Sequence, residues 1–198
     1  MANQCMDTVV FYAEHNRQEA GLARLAEAFM ACYPEGRKPE DSAFGRILMW
    51  LGIQTKGIHT RGDVICHGMD GEEFWMECEA AWTPMYNAYR AIAEYFGVEF
   101  VMRAEEPGFH IYVNTDTTGN HLPDRYKVFL AEKPKDGSLD AVFDMASGEK
   151  ELYFLSDEDV LDWFSGGGIR AASLRELQSM LDKEYACIYE FDDTYHGI

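Results

Sequence analysis

Hydrophobic and polar positions along this chain switch between a period of two and a period near 3.6, and the switches mark out its elements. Asp7–Ala13 reads as a first strand, ended by the polar Glu14-His15-Asn16. Asn16 with Glu19 three residues on has the form of a capping box. Leu22, Leu25, Ala26 and Phe29 then recur at helical spacing and predict an amphipathic helix to about Tyr33. Pro34–Asp41 is a polar loop, and Ser42 stands where a cap would open a short apolar helix, Phe44–Leu51, closed by Gly52. Asp63–Met69 and Glu72–Ala81 flank Asp70-Gly71, a dipeptide suited to the positive φ of a tight hairpin turn. In the second of these strands Phe74, Met76, Cys78 and Ala80 fall on one face; Glu73, Trp75, Glu77 and Glu79 fall on the other. Such alternation predicts an antiparallel sheet packed on one side and wet on the other.

Thr83 is placed to cap a helix with Pro84 at its first position, where a missing N–H costs nothing. Tyr86, Tyr89, Ile92, Ala93 and Phe96 form its apolar stripe, and Gly97 ends it. Val98–Ala104 alternates again, and Glu106-Pro107-Gly108 turns the chain into Phe109–Asn114. Strand, helix, strand, strand, helix, strand is the split βαβ order of ferredoxin-like folds, here with one extra strand and one short helix. The polar stretch Thr115–Asp124 marks a boundary. Beyond it, Arg125–Leu130, Asp140–Ala146, Glu151–Leu155 and Ala186–Asp192 read as strands. Asp157–Phe164 and Leu174–Tyr185 read as helices, opened by the capping boxes Ser156/Asp159 and Ser173/Glu176. The expectation is an α+β protein: a ferredoxin-like unit with helices on one face of an antiparallel sheet at 1–116, then a small acidic α+β unit at 125–198 packed on it.

Charge narrows the partners. The 198 residues hold 17 Lys and Arg against 35 Asp and Glu, a net charge of -18. Nucleic acid and anionic membranes demand clustered cations, so direct binding to either is disfavoured and a basic protein partner is permitted. No run approaches the ~20 apolar residues of a membrane span, and no basic-then-apolar leader opens the sequence. The five cysteines, Cys5, Cys32, Cys66, Cys78 and Cys187, form no Cys-x-x-Cys pair. Reduced thiols and a cytoplasmic setting are the expectation.

Candidate chemistry is sparse. Gly166-Gly167-Gly168 follows a helix rather than a strand, which is the wrong context for a phosphate loop. No histidine stands at metal-ligand spacing, no nucleophile elbow occurs, and neither a metal nor a cofactor is expected. Paired carboxylates, Glu77 with Glu79 and Glu105 with Glu106, could support acid/base chemistry if burial raised one of them, but in so acidic a chain adjacent carboxylates usually sit in water. Trp75 lies among the glutamates, with Arg103 and Tyr112 on neighbouring strands; together they have the composition of a partner-binding face.

Ala80-Ala81-Trp82-Thr83-Pro84, the helix after it, and Ala104-Glu105-Glu106-Pro107-Gly108-Phe109-His110-Ile111-Tyr112, with the opening Met1-Ala2-Asn3-Gln4-Cys5, resemble the YubB-like ferredoxin-like proteins of bacterial plasmids, phages and mobile elements. The likeness covers roughly the first 116 residues. It implies a fold and a mobile-element setting; the family has no assigned activity, so it implies no chemistry.

The leading expectation is a non-enzymatic interaction or accessory protein with an acidic surface for a protein partner, in its sharper form a DNA mimic that occupies a basic nucleic-acid-binding protein. Homo-oligomerisation is left open. The competing expectation is a small enzyme or ligand-binding protein with a carboxylate/His pocket near Glu105, Glu106, His110 and Tyr112. Trp75, Glu77, Glu79, Trp82 and Arg103 complete the candidate surface.

Overall fold

The computed structural model of the chain describes residues 3–32 and 43–195. The protein is α+β, with a five-stranded antiparallel sheet and a three-stranded sheet. The chain up to Leu122, together with its return from Asp192, forms one compact unit, and Pro123–Phe191 forms a second. The loop expected at Pro34–Asp41 and the cap expected at Ser42 lie outside the described residues.

In the first unit β1 (Gln4–Tyr12) leads into α1 (Asn16–Cys32). After α2 (Phe44–Trp50), β2 (Gly62–Asp70) and β3 (Glu73–Ala81) form the hairpin foreseen at Asp70-Gly71, and Gly71 takes φ 58°. Then come α3 (Tyr86–Phe96), β4 (Glu99–Glu106) and β5 (Ile111–Asn114). The sheet order is β2-β3-β1-β4-β5. Beyond β5 the returning chain makes a parallel bridge, Val113 to Asp192.

The three helices share one core with one face of this sheet. Cys5, Val9 and Phe11 of β1 join Phe74, Met76 and Cys78 of β3, under Leu25 and Phe29 of α1, Phe44 and Ile47 of α2, and Tyr89 and Ile92 of α3. A glycine sets the closest approach: a Cβ on Gly21 of α1 would press into the Phe96 carbonyl oxygen at the end of α3.

Two helix starts differ from the sequence expectation. At α1 the Gln18 side chain accepts the N–H groups of Glu14 at 2.8 Å and His15 at 3.2 Å, so the turn is closed from inside the helix rather than by an Asn16/Glu19 box. At α3 neither Thr83 nor Met85, the residue at the cap, supplies a side-chain cap. A carboxylate from the sheet does so, as described below. The end is as foreseen, with Gly97 left-handed at φ 71°.

The second unit runs β6 (Tyr126–Leu130), α4 (Asp140–Ala146), β7 (Glu151–Phe154), α5 (Asp157–Gly166), α6 (Leu174–Met180) and β8 (Ala186–Glu190), with sheet order β7-β6-β8. Asp140–Ala146 is a helix, not the strand its hydrophobic content suggested. Leu139, Val142 and Ala146 are its buried positions, a helical repeat in which alanine and methionine are favourable residues. The capping boxes at Ser156 and Ser173 both form, each hydroxyl accepting the N–H three residues on. The last helix stops at Met180 rather than Tyr185, because Asp182 accepts the Glu184 N–H and turns the chain. Val128, Leu130, Val160, Phe164, Leu177 and Ile188 are central to this unit's own core.

Candidate functional site

The pleat of the five-stranded sheet sorts the candidate residues by face. Register pairs Met6 with Glu105, Thr8 with Arg103 and Val10 with Val101, and it pairs Glu105 with Tyr112. These residues, with Glu73, Trp75, Glu77 and Glu79 of β3, point away from the helices. Several carboxylates there have near neighbours: Gln4 donates to Glu79 at 2.6 Å, Cys66 donates to Glu77 at 3.2 Å, and Arg103 lies 3.7 Å from Glu105. Burial, together with the Glu77 carboxylate, pushes the Cys66 thiol up to about 11. Glu77 is exposed, whereas Glu105 and Tyr112 are buried.

Part of this face is covered from within the first unit. Leu122 packs on Val10 and Val101, flanked by Tyr12 and Trp75. The loop that carries Leu122 is built on Asp116, whose carboxylate accepts N–H groups from Thr118, Gly119, His121 and Leu122 and the Thr118 hydroxyl, at 2.7–3.0 Å. Burial alone would raise this carboxyl, but the donors, those of Leu122 and Thr118 foremost, outweigh it and hold it down at about 2. Beside Leu122, His121 Nδ1 meets Glu73 at 2.6 Å and its ring stacks on Tyr12 at 4.0 Å.

Glu106 falls on the other face. It is buried, and its carboxylate accepts the N–H of Gly108 at 3.1 Å and that of Phe109, so it organises the β4–β5 turn. His110 lies in that turn, exposed, at φ 55°. Glu105 and Tyr112 are thus on one face, Glu106 on the opposite one, and His110 at the sheet end. The geometry does not gather these four around one point. Trp82, at φ 78°, is 41% exposed, with its ring 6.3 Å from that of Phe109.

One perturbed carboxyl is a residue that composition and spacing did not single out. Asp7, buried at the helix-facing side of β1, accepts the Met85 N–H at 3.0 Å, the Tyr89 hydroxyl at 2.6 Å and the Cys5 thiol at 3.2 Å. Burial pushes its carboxyl up to about 6, against the pull of Tyr89, Met85 and Cys5. Burial and Asp7 in turn raise the Tyr89 hydroxyl and the Cys78 thiol, and Cys5 is raised likewise. A buried acid beside two thiols and a phenol has the composition of a reactive centre. Its place under α3 with three donors on the carboxylate makes it the cap of that helix instead. A signal was present: Asp7 interrupts the apolar positions Cys5, Val9 and Phe11 on the core face of β1.

Among the described residues, the shallow clefts of the first unit include the following three. One of about 550 Å³ runs between α1 and α3 past Trp50 and Tyr95. One of about 570 Å³ is lined by Asn3, Gln4, Arg61, Asp63 and Glu79, among others. One of about 440 Å³ lies by His15 and Met69. Among the described residues no group of three or more His, Cys, Asp or Glu is arranged to hold a metal ion, and no helix is long and apolar enough to cross a membrane. Comparison with family models, curated proteins and solved structures gave no match to this chain.

Proposed function

We propose that the protein is a non-enzymatic binding protein that engages a basic protein partner through the acidic side of its five-stranded sheet. The observation that carries this reading is the outward row of β3, where Glu73, Trp75, Glu77 and Glu79 stand on one face of a molecule with a net charge of -18. Complementary charge would speed association and make it sensitive to salt. In the sharper form the partner is a nucleic-acid-binding protein and the carboxylates stand in for phosphates. A sheet in which β1 lies between β3 and β4, with the helices in one core on one face, supports a ferredoxin-like reading of the first unit. With that reading goes the resemblance to mobile-element proteins and a cytoplasmic setting.

Affinity capture from a bacterial lysate at low and then moderate salt tests the reading. The expected outcome is one basic protein retained at low salt, shed as salt rises, and absent with Glu77→Lys/Glu79→Lys bait. Recovery of the same proteins by wild-type and charge-reversed bait would end it.

The pocket reading would need Glu105, Glu106, His110 and Tyr112 to act together. Glu106→Gln separates it from the binding reading. A lost catalytic or ligand-binding activity would favour a pocket, whereas unaltered partner capture favours the acidic face.

A further inference from the structure

At one end of the five-stranded sheet two aromatic rings are exposed to water, and one of them, that of Trp82, is carried on backbone that is costly to hold. Trp82, directly after β3, has φ 78°, a conformation that bulky side chains seldom adopt and that persists only where the surroundings enforce it. The enforcement is visible. The Trp82 N–H donates to the Asn3 carbonyl at 2.9 Å. The opposite turn is pinned by the buried Glu106 carboxylate, which accepts the Gly108 and Phe109 N–H groups. The two loops are fitted together, because a Cβ on Gly108 would run into the Asn3 side chain. The result is a Trp82–Phe109 pair at 6.3 Å and 42°, with Trp82 41% and Phe109 53% exposed. Met6, on the outward face of β1, is 43% exposed.

Strain spent on holding a tryptophan out of the core points to a ligand for its ring. The surroundings select the ligand's charge. Trp82 directly follows the outward acidic row of β3, and Asn3, which holds it, also lines the cleft that carries Glu79 and Asp63 with Arg61. A flat cation fits the faces of two tilted rings better than a compact one, because guanidinium stacks on aromatic faces and sheds its weaker hydration more readily than an ammonium.

We propose that Trp82 and Phe109 anchor an arginine side chain of the basic protein partner, whose main chain lies along the cleft beside Asn3 and Glu79. This rests on the binding reading above and adds to it the residue type recognised and the place where it seats.

The test titrates the full chain with deca-arginine and, separately, deca-lysine peptide, by calorimetry and tryptophan fluorescence. Deca-arginine binds about ten-fold more tightly than deca-lysine. Trp82→Gly removes that preference while thermal stability holds or rises, since glycine adopts φ 78° without strain. Phe109→Ala reduces the preference in the same direction and serves as the second variant. Equal binding of the two peptides, or an arginine preference that survives both substitutions, overturns the anchor and leaves the acidic face standing. A preference that persists while Glu77→Gln/Glu79→Gln changes neither affinity supports the anchor and removes the acidic face. Failure of both peptides to bind overturns the two together.

Discussion

Tyr89 donates its hydroxyl to Asp7 at 2.6 Å, and this contact joins the third helix to the strand at the centre of the larger sheet. The same carboxylate oxygen takes the Met85 N–H, so a side chain 78 positions earlier does the work that Thr83 was placed to do. Helix N-termini favour a negative charge, but this one must be kept where water cannot solvate it.

That conflict sets a pH dependence. The Asp7 carboxyl stands at about 6 in the fold against 3.8 unperturbed, so the folded protein holds the proton more tightly than the unfolded chain does. The associated stability is fully present below pH 3.8 and is lost as pH rises through about 6, amounting to about 3 kcal/mol. Urea denaturation of wild type and Asp7→Asn between pH 4 and 7 checks this; the difference between the two curves carries the slope. Tyr89→Phe, which removes a donor to the ionised form, shifts the fall to higher pH.

Asp116 has the opposite sign. Held at about 2 against 3.8, it contributes stability above pH 3.8 that is lost as pH falls through about 2. Asparagine offers one acceptor oxygen where five donors converge, so Asp116→Asn costs about 2 kcal/mol at neutral pH. The cost shrinks towards pH 2. Denaturation at the two pH values, with the Trp75 fluorescence reporting the loop above it, measures both.

Gly21→Ala forces α1 away from the Phe96 carbonyl, which is backbone and cannot swing aside. The expected loss is about 2 kcal/mol, despite the better helix propensity of alanine. A rise in melting temperature would contradict the close approach.

Ser156→Ala removes a hydroxyl that accepts the Asp159 N–H at 3.1 Å and donates to its carboxylate at 2.8 Å. A cost of about 1 kcal/mol is expected, confined to the second unit. Amide exchange at α5, compared with exchange at α1, locates it.

Sequence pattern was sufficient wherever the determinant is local. The hairpin at Gly71, the stop at Gly97 and the caps at Ser156 and Ser173 each depend on residues within a few positions. Leu139, Val142 and Ala146 misled because a short apolar run fits either period, and the sheet that would decide lies elsewhere in sequence. The candidate surface was half legible. Alternation placed Glu73, Trp75, Glu77 and Glu79 on one face, but the strand was expected to end at Ala104, and only its continuation through Glu106, paired with β5, puts Glu105 and Glu106 on opposite faces. The pairing of His121 with Glu73 spans 48 positions, and that of Asp7 with Tyr89 spans 82, and no local pattern encodes either.

Asn114 holds both Leu122 and Asp192, taking the first by its side-chain amide at 2.7 Å and the second by its backbone N–H at 2.8 Å. The exit and re-entry of the chain are thereby brought to one residue at the end of β5. Pro123–Phe191 thus leaves and re-enters the first unit at one point, with both of its connections held by the same residue. Excision follows as an expected outcome: with a short glycine-serine bridge from Leu122 to Asp192 in its place, the first unit keeps its circular dichroism and its cooperative melt, and loss of either would show that the second unit is needed to hold it.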